Sequence, residues 1–353
     1  MDGAAGPGRQ VTLKDVADRA GVSSATVSRV LNDNYPVAAS TRERVLEAVR
    51  HYDYVVNVHA QALVHARSGV LGIVVADVSD PFFSEIVRGA QQVASEAGRM
   101  AMICSSGGDP ARELQYVTLL RTHRADAVIL VGAGSERADD QDELARQADG
   151  MARQGSRLVL VGRPAPQGTD AASVVEVDNA GAGSLVAEHL TGLGHRRILY
   201  LAGPGERTST TARLNGFLRR ARSRRVARTG ITVVHGDLSR GSGRRLVQQA
   251  LQGSTDFTAV AASNDLMAIG ALRELRDAGL RVPQDVSVMG VDDVPGAADV
   301  TPGLTTVHLP LHQMGAEGAE LALETMGPRV LPVLGVHLVE RGSTASPPAA
   351  ASP

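Results

Sequence analysis

Ser24 and Ala25, followed one helical turn later by Arg29, form a pattern suited to reading DNA. An α-helix entering the major groove needs small side chains near its amino end for close approach. It also needs a long forked donor to grip a guanine edge. This pattern works only if a helix holds the residues on one outward face, and the surrounding sequence supplies that helix. Val27, Val30 and Leu31 fall on a buried stripe, which turns Ser24, Ala25, Ser28 and Arg29 outward. Ser23 is placed to cap the helix, and Val22 and Val27 flank its start as a hydrophobic staple.

Upstream, Thr12 with Asp15 three residues on opens a shorter helix through Leu13, Val16, Ala17 and Ala20, and Gly21 closes it. A third helix is expected from the capping box Ser40-x-x-Glu43 and the apolar positions Val45, Leu46, Val49 and Tyr52. Three short helices in some forty residues could serve as a packing module, but the outward face with its lone arginine favours DNA.

Bulk charge offers no help, because the net charge is −2 and residues 1–67 carry eight Lys/Arg against seven Asp/Glu. A single cysteine, Cys104, argues against a disulfide framework. The polar, glycine-rich start and the lack of any long apolar run point to a cytoplasmic chain without a membrane span. From Gly69 the pattern changes to apolar strands alternating with amphipathic helices: VLGIVVADV (70–78), AMIC (101–104), DAVILV (126–131), RLVLVG (157–162), SVVEV (173–177), RILYLAG (197–203), ITVVHG (231–236), TAVAASN (258–264) and DVSVMGV (285–291). Nine strands exceed one small sheet. With the break at 163–172 they imply two doubly wound lobes and a ligand cleft beyond the carboxyl ends of the strands.

The segment VTLKDVADRAGVSSATVSRVLN (11–32) resembles the DNA-binding head of the LacI/GalR repressor family, and the similarity runs through residue 342. The resemblance implies that Ser24, Ala25 and Arg29 read bases, while Thr12, Ser23, Thr26, Ser28 and Asn32 lie near phosphates. It also implies a hinge helix over 57–65, with Asn57 and a minor-groove wedge at Leu63 in the DNA-contacting set. Val56 stands where the family usually has proline, so an interdomain packing role for Leu63 stays open.

Seven family motifs follow in order: VSDPFF (78–83), VDNAGAG (177–183), LGHRRI (193–198), RLNGF (213–217), ASNDLMAIGAL (262–272), VPQDVSVMGVDD (282–293) and TPGLTTV (301–307). By position, the resemblance assigns the effector cleft to Phe82, Phe83, Arg213, Asn264 and Asp292. Their chemistry agrees: an arginine fork, an amide and a carboxylate bind hydroxyls or an acid, and aromatic faces stack on a ring. Each residue also has a local alternative. The phenylalanines could close a lobe, Asp292 could cap a turn, and Asn264 could cap the next helix. Val291, Leu238 and Gly162 replace two aromatics and an aspartate common in relatives, which removes two stacking faces and one hydroxyl-binding carboxylate.

An enzyme is disfavoured: GAGSER (132–137) has Arg137 where a dinucleotide loop needs a third small residue, and neither zinc-ligand spacing nor a nucleophile elbow is present. A periplasmic solute receptor would need an export signal in place of residues 11–65.

The expected fold class is therefore α plus α/β: a helix-turn-helix bundle at 11–56 and a hinge at 57–68, followed by a two-lobed periplasmic-binding-protein-like sensor at 69–342. The resemblance divides the sensor into a first lobe of about 70–172 and 300–326 and a second of about 173–296 and 331–342. Residues 1–10 and 343–353 read as disordered. The expected function is a repressor that binds a pseudo-palindromic operator as a homodimer. Its affinity would respond to a sugar, nucleoside or related metabolite, with no cofactor, metal or membrane partner.

Overall fold

The computed structural model describes residues 11–32, 35–54, 68–134, 137–253 and 256–348, and the chain divides into two compact units at Ser68/Gly69.

In the first unit, α1 (Leu13–Ala20) opens on a reciprocal capping box: the Asp15 amide donates to Thr12 Oγ1 (3.3 Å) and the Thr12 amide to Asp15 Oδ2 (2.8 Å). Gly21 ends the helix at φ 65°, where a side chain would be strained. Ser23 then starts α2 (Ser24–Asn32), accepting from the Thr26 amide at 3.2 Å.

The third helix, α3 (Ala39–His51), departs from expectation. Its first turn is closed by the Ala38 carbonyl, which accepts from Thr41 (2.9 Å) and Arg42 (3.0 Å), so Ser40 lies inside the helix and no Ser40–Glu43 box forms. Val16, Val27, Val30 and Val45 make the buried centre. Each contributes about 1.5 to 3 kcal/mol by leaving water.

The second unit holds two parallel sheets. The first has the order β2-β1-β3-β4-β5, from β1 (Val70–Val75), β2 (Met100–Ser105), β3 (Ala127–Val131), β4 (Arg157–Val161) and β5 (Ala172–Val175). The second has the order β7-β6-β8-β9, from β6 (Ile198–Ala202), β7 (Ile231–His235), β8 (Ala259–Ala262) and β9 (Ser287–Met289). The inner strands β1, β3 and β4, and β6 and β8, are buried almost throughout, as apolar runs in doubly wound sheets require.

The helices in chain order are α4 (Pro81–Glu96), α5 (Pro110–Thr122), α6 (Ala138–Arg153), α7 (Asn179–Gly192), α8 (Thr208–Ser223), α9 (Arg240–Gln252), α10 (Asp265–Asp277), α11 (Gly296–Asp299) and α12 (Leu311–Leu323). The pair α7/α8 packs backbone to backbone. A Cβ at Gly183 would sit 1.9 Å from the Arg213 carbonyl oxygen, and one at Gly216 would sit 2.0 Å from that of Ala180. This close approach fixes where Arg213 leaves α8.

Strand pairing corrects the lobe boundaries and the tail. β5 joins β4 in the first sheet, so the chain enters the second lobe later than 173. Thr305 and His308 bridge Met289 and Asp292, which places this part of 300–308 on the second sheet, where β10 (Thr306–His308) pairs with β11 (His337–Val339). Val330 and Leu334 bridge Val174 and Val177, so the stretch leading to 334 belongs to the first sheet. In each case an open strand edge takes up an extended segment whose own sequence does not say which sheet it joins.

Residues 343–348, expected to be disordered, are held against the second sheet. Ser343 is fully buried, its hydroxyl donates to the Val288 carbonyl at 2.6 Å, and the Ala345 amide donates to Ser287 Oγ at 3.0 Å. No helix among the described residues is long and apolar enough to cross a membrane.

Candidate DNA-reading surface and ligand cavity

On α2, Ser24, Ala25 and Arg29 are exposed, and Thr26 and Ser28 are half-buried. Their spacing comes from the buried Val27 and Val30, which press the opposite face into the bundle. Thr12 and Ser23 are exposed at the amino ends of α1 and α2, where free amides and the helix dipole favour an anion such as phosphate. Asn32 is the last residue of α2. Asn57 and Leu63 lie outside the described residues. The Arg29 guanidinium stands 5.3 Å from the centre of the exposed Tyr35 ring. Helical spacing gives no signal for that contact, because Tyr35 lies beyond the helix.

In the second unit a cavity of about 80 Å³ opens between the sheets, with Asp80, Phe82, Phe83, Arg207, Arg213 and Asp292 on its walls. Gly162, Asn179, Leu238 and Asn264 also line it. The loops after β1, β3, β6, β8 and β9 all reach it. Both sheets reverse strand order beside β1 and β6, and loops from both of these switch points line the cavity. All five residues expected at the cleft, Phe82, Phe83, Arg213, Asn264 and Asp292, line this one cavity.

Arg213 is held on three sides. Its Nε donates to Asn179 Oδ1 at 2.9 Å, its Nη1 donates to the Ser263 carbonyl at 2.6 Å, and Nη1 stands 3.0 Å from Asp292 Oδ1. That last contact is a charge pair without hydrogen-bond alignment, and Asp292 Oδ1 accepts no hydrogen bond from the described residues. Arg213 and Asp292 are about 95% shielded from solvent.

Burial pushes the Asp292 carboxyl up to about 7; Arg213 offsets part of that rise and the Asp80 charge adds to it. Asp292 does not cap a turn. Its backbone sits at φ 123° and its amide donates to the Val307 carbonyl at 2.9 Å, aiming the side chain into the cavity mouth of β9. Asp265 is also raised by burial, but each of its oxygens accepts a hydrogen bond, from Thr306 Oγ1 (2.5 Å) and from the Val294 amide (3.0 Å).

The remaining lining divides by how much bonding capacity is free. Asn264 caps α10 by accepting from the Met267 amide (3.0 Å), and it donates to the Leu238 carbonyl (3.0 Å), so most of its amide is already committed. Asp80 caps α4 through the Phe82 amide (2.9 Å), and burial raises its carboxyl above the ordinary range. Phe82 and Phe83 meet edge to face at 5.1 Å.

Arg207 lines the cavity without any sequence signal. It leaves the second lobe and donates to the Gly108 carbonyl (2.6 Å) and the Ala133 carbonyl (3.4 Å) of the first, bridging the lobes with its side chain. Asn179, embedded in VDNAGAG, also went unassigned in the sequence; its part is to orient the Arg213 fork.

Residues 12–57 match the bacterial regulatory proteins of the lacI family, and residues 187–344 match the periplasmic binding protein-like domain. Over 345 residues the chain is 36% identical to the HTH-type transcriptional regulator GalR of Escherichia coli (strain K12), covering 97% of this chain and 98% of that one. The chain belongs to the lacI family.

Within the lacI family it is also 34% identical over 345 residues to the regulator CelR of Thermobifida fusca, covering 95% and 98% of the two chains. It superposes on the lac repressor dimer bound to operator and the anti-inducer ONPF with a TM-score of 0.80 at 27% identity, covering 96% of this chain and 100% of that one. The protein is thus a DNA-binding transcriptional repressor with an effector-binding domain, and lacI-family proteins are regulators, not enzymes.

Of the three departures from the family pattern, Gly162 and Leu238 line the cavity. Val291 is buried in the core and takes no part in the lining, so only one stacking face is lost there.

Proposed function

We propose that this lacI-family repressor binds a pseudo-palindromic operator as a homodimer and changes its operator affinity when a hydroxylated small molecule enters the cavity between its lobes. The reading rests on one observation: Asp292, buried beside Arg213, has an oxygen with no hydrogen bond facing a cavity. An acceptor held by the Arg213 charge alone keeps lone pairs open toward the cavity, and a ligand hydroxyl or ring N–H can donate to it.

The effector is a sugar, a nucleoside or a related metabolite, with Arg213 and Asp292 binding its polar edge and Phe82 and Phe83 flanking its apolar face. Asn264 acts mainly through the wall it caps. A CelR structure in complex with cellobiose, 32% identical to this chain, lends support to a sugar. Ser24, Ala25 and Arg29 read bases; Thr12, Ser23, Thr26, Ser28 and Asn32 approach phosphates; Asn57 and Leu63 in the 57–68 hinge meet the operator centre.

The dimer has support in the edge strand β2, whose Met100 (57%) and Met102 (41%) are exposed apolar side chains suited to contact with a second copy. Coupling follows if the effector binds the two lobe arrangements unequally.

The test is footprinting of the full chain on DNA flanking its gene, repeated with sugars and nucleosides that raise its thermal stability. Protection of a short inverted repeat that changes with one such compound is expected. Protection indifferent to every stabilising compound would refute the coupling.

A further inference from the structure

Between residues 189 and 236 the sequence holds ten arginines and one carboxylate, Glu206, in a chain whose net charge is −2. Arg207 and Arg213 serve the cavity. The other eight cluster elsewhere, at the end of the second sheet opposite the cavity, where β6 and β7 begin and α8 ends. Arg196 and Arg197 immediately precede β6. The turn before β7 packs on them so closely that a Cβ at Gly230 would sit 2.2 Å from the Arg196 carbonyl oxygen. Arg219, Arg222, Arg225 and Arg228 lie on the last turns of α8 and the loop after it, and all four are exposed.

Neutralisation is incomplete. Glu188 is shared by Arg220 (2.7 Å) and Arg224 (2.6 Å), and Asp256 pairs with Arg197 at 3.0 Å. Among the described residues, Arg219, Arg222, Arg225 and Arg228 form no ion pair. The helix dipole accounts for one or two cations at the end of α8, not for a surplus of six.

We infer that this surface is a second nucleic-acid contact, which binds the phosphate backbone of duplex DNA without regard to sequence. Three features favour a duplex over a protein or a single strand. The cationic groups are guanidinium forks, which match phosphate oxygens two at a time. No large apolar residue within 189–236 is among the exposed ones, so the patch lacks the apolar centre that a protein interface needs. It has no exposed aromatic ring on which unpaired bases could stack either. The inference is independent of the cavity and of what fills it.

The test measures binding of the full chain to a fluorescent duplex of random sequence across a salt series, by anisotropy. Each phosphate contact contributes about 0.9 to the slope of log affinity against log salt. Replacing Arg219, Arg222, Arg225 and Arg228 by glutamine together should therefore lower the slope by about 2 to 4 and weaken binding at low salt roughly tenfold or more. A control in which the exposed Arg88, Arg153, Arg273 and Arg281 are replaced by glutamine should change both quantities far less. The thermal midpoint of each variant checks that the fold is intact.

An unchanged slope in the first variant would overturn the proposal, as would an equal loss in the control. If the first variant lost binding to polyglutamate but kept its affinity for random duplex, the surface would belong to an acidic protein partner instead.

Discussion

The two functional regions of this repressor are built in opposite ways. On α2 the chemistry sits on one face of one helix, exposed, with every side chain within six residues of the next. In the cavity it is gathered from five strand ends, and Arg213 and Asp292, the pair at its centre, are buried and separated by nearly eighty residues of sequence. An exposed site can lose a side chain and keep its fold. A buried charged site loses stability with the side chain, because its members also satisfy one another.

The contrast is sharpest for Arg213→Ala. It leaves the Asp292 carboxylate buried with no cation and frees the Ser263 carbonyl and the Asn179 amide, at an expected cost of about 3 to 5 kcal/mol. Urea unfolding of the full chain should show that loss in the sensor unit, together with loss of any effector response. An unchanged unfolding midpoint would mean that the pair is not the structural centre of the cavity.

Arg207→Ala removes a charged hydrogen bond to the Gly108 carbonyl and the bridge between lobes, worth about 1.5 to 3 kcal/mol. Small-angle scattering should detect a more open sensor, effector affinity should change, and the unfolding midpoint should fall by less than in Arg213→Ala. Identical scattering profiles would rule out the bridge as a constraint on lobe spacing.

On the head, Arg29→Ala should lose about 1 to 3 kcal/mol of discrimination at one base pair per half-site while leaving stability unchanged. Equal losses on operator and random DNA would reduce Arg29 to a phosphate contact.

The same contrast explains what the sequence made legible. Thr12, Ser23 and Gly21 could be assigned their caps because each acts on residues two to four positions away. Ser40 misled because Ala38 closes the first turn of α3 with its backbone, and such a closure leaves no side-chain signature. β5, the 300–308 segment and Ser343 were misplaced because strand edges accept any extended backbone. Which edge captures a segment depends on residues far away. Phe82, Phe83, Arg213, Asn264 and Asp292 do reach a common cavity, but local spacing alone does not bring them together; the family resemblance did. Arg207 and Asn179 stayed hidden because their role is to hold other groups, Gly108 and Arg213, across chain distances that no motif spans.

A smaller effect separates the regions by pH. Burial pushes the Asp292 carboxyl up to about 7, and an effector hydroxyl donating to Oδ1 favours its ionised form. Below pH 7, effector binding should therefore release a proton, and affinity should rise with pH by up to about 1.4 kcal/mol per unit until the group is ionised. Calorimetry in buffers of different ionisation enthalpy measures the proton directly. Zero release at pH 6 would mean that the ligand does not use this oxygen.

The central claim is that the cavity around Asp292 sets operator affinity. It is tested most directly by measuring operator binding with and without the effector for the wild type and for Asp292→Asn, which keeps the volume and removes the charge. The wild-type affinity should shift about 5- to 150-fold on effector addition, and the variant should bind operator like the effector-free wild type and show no shift. A variant that responds to the effector as the wild type does would contradict the account.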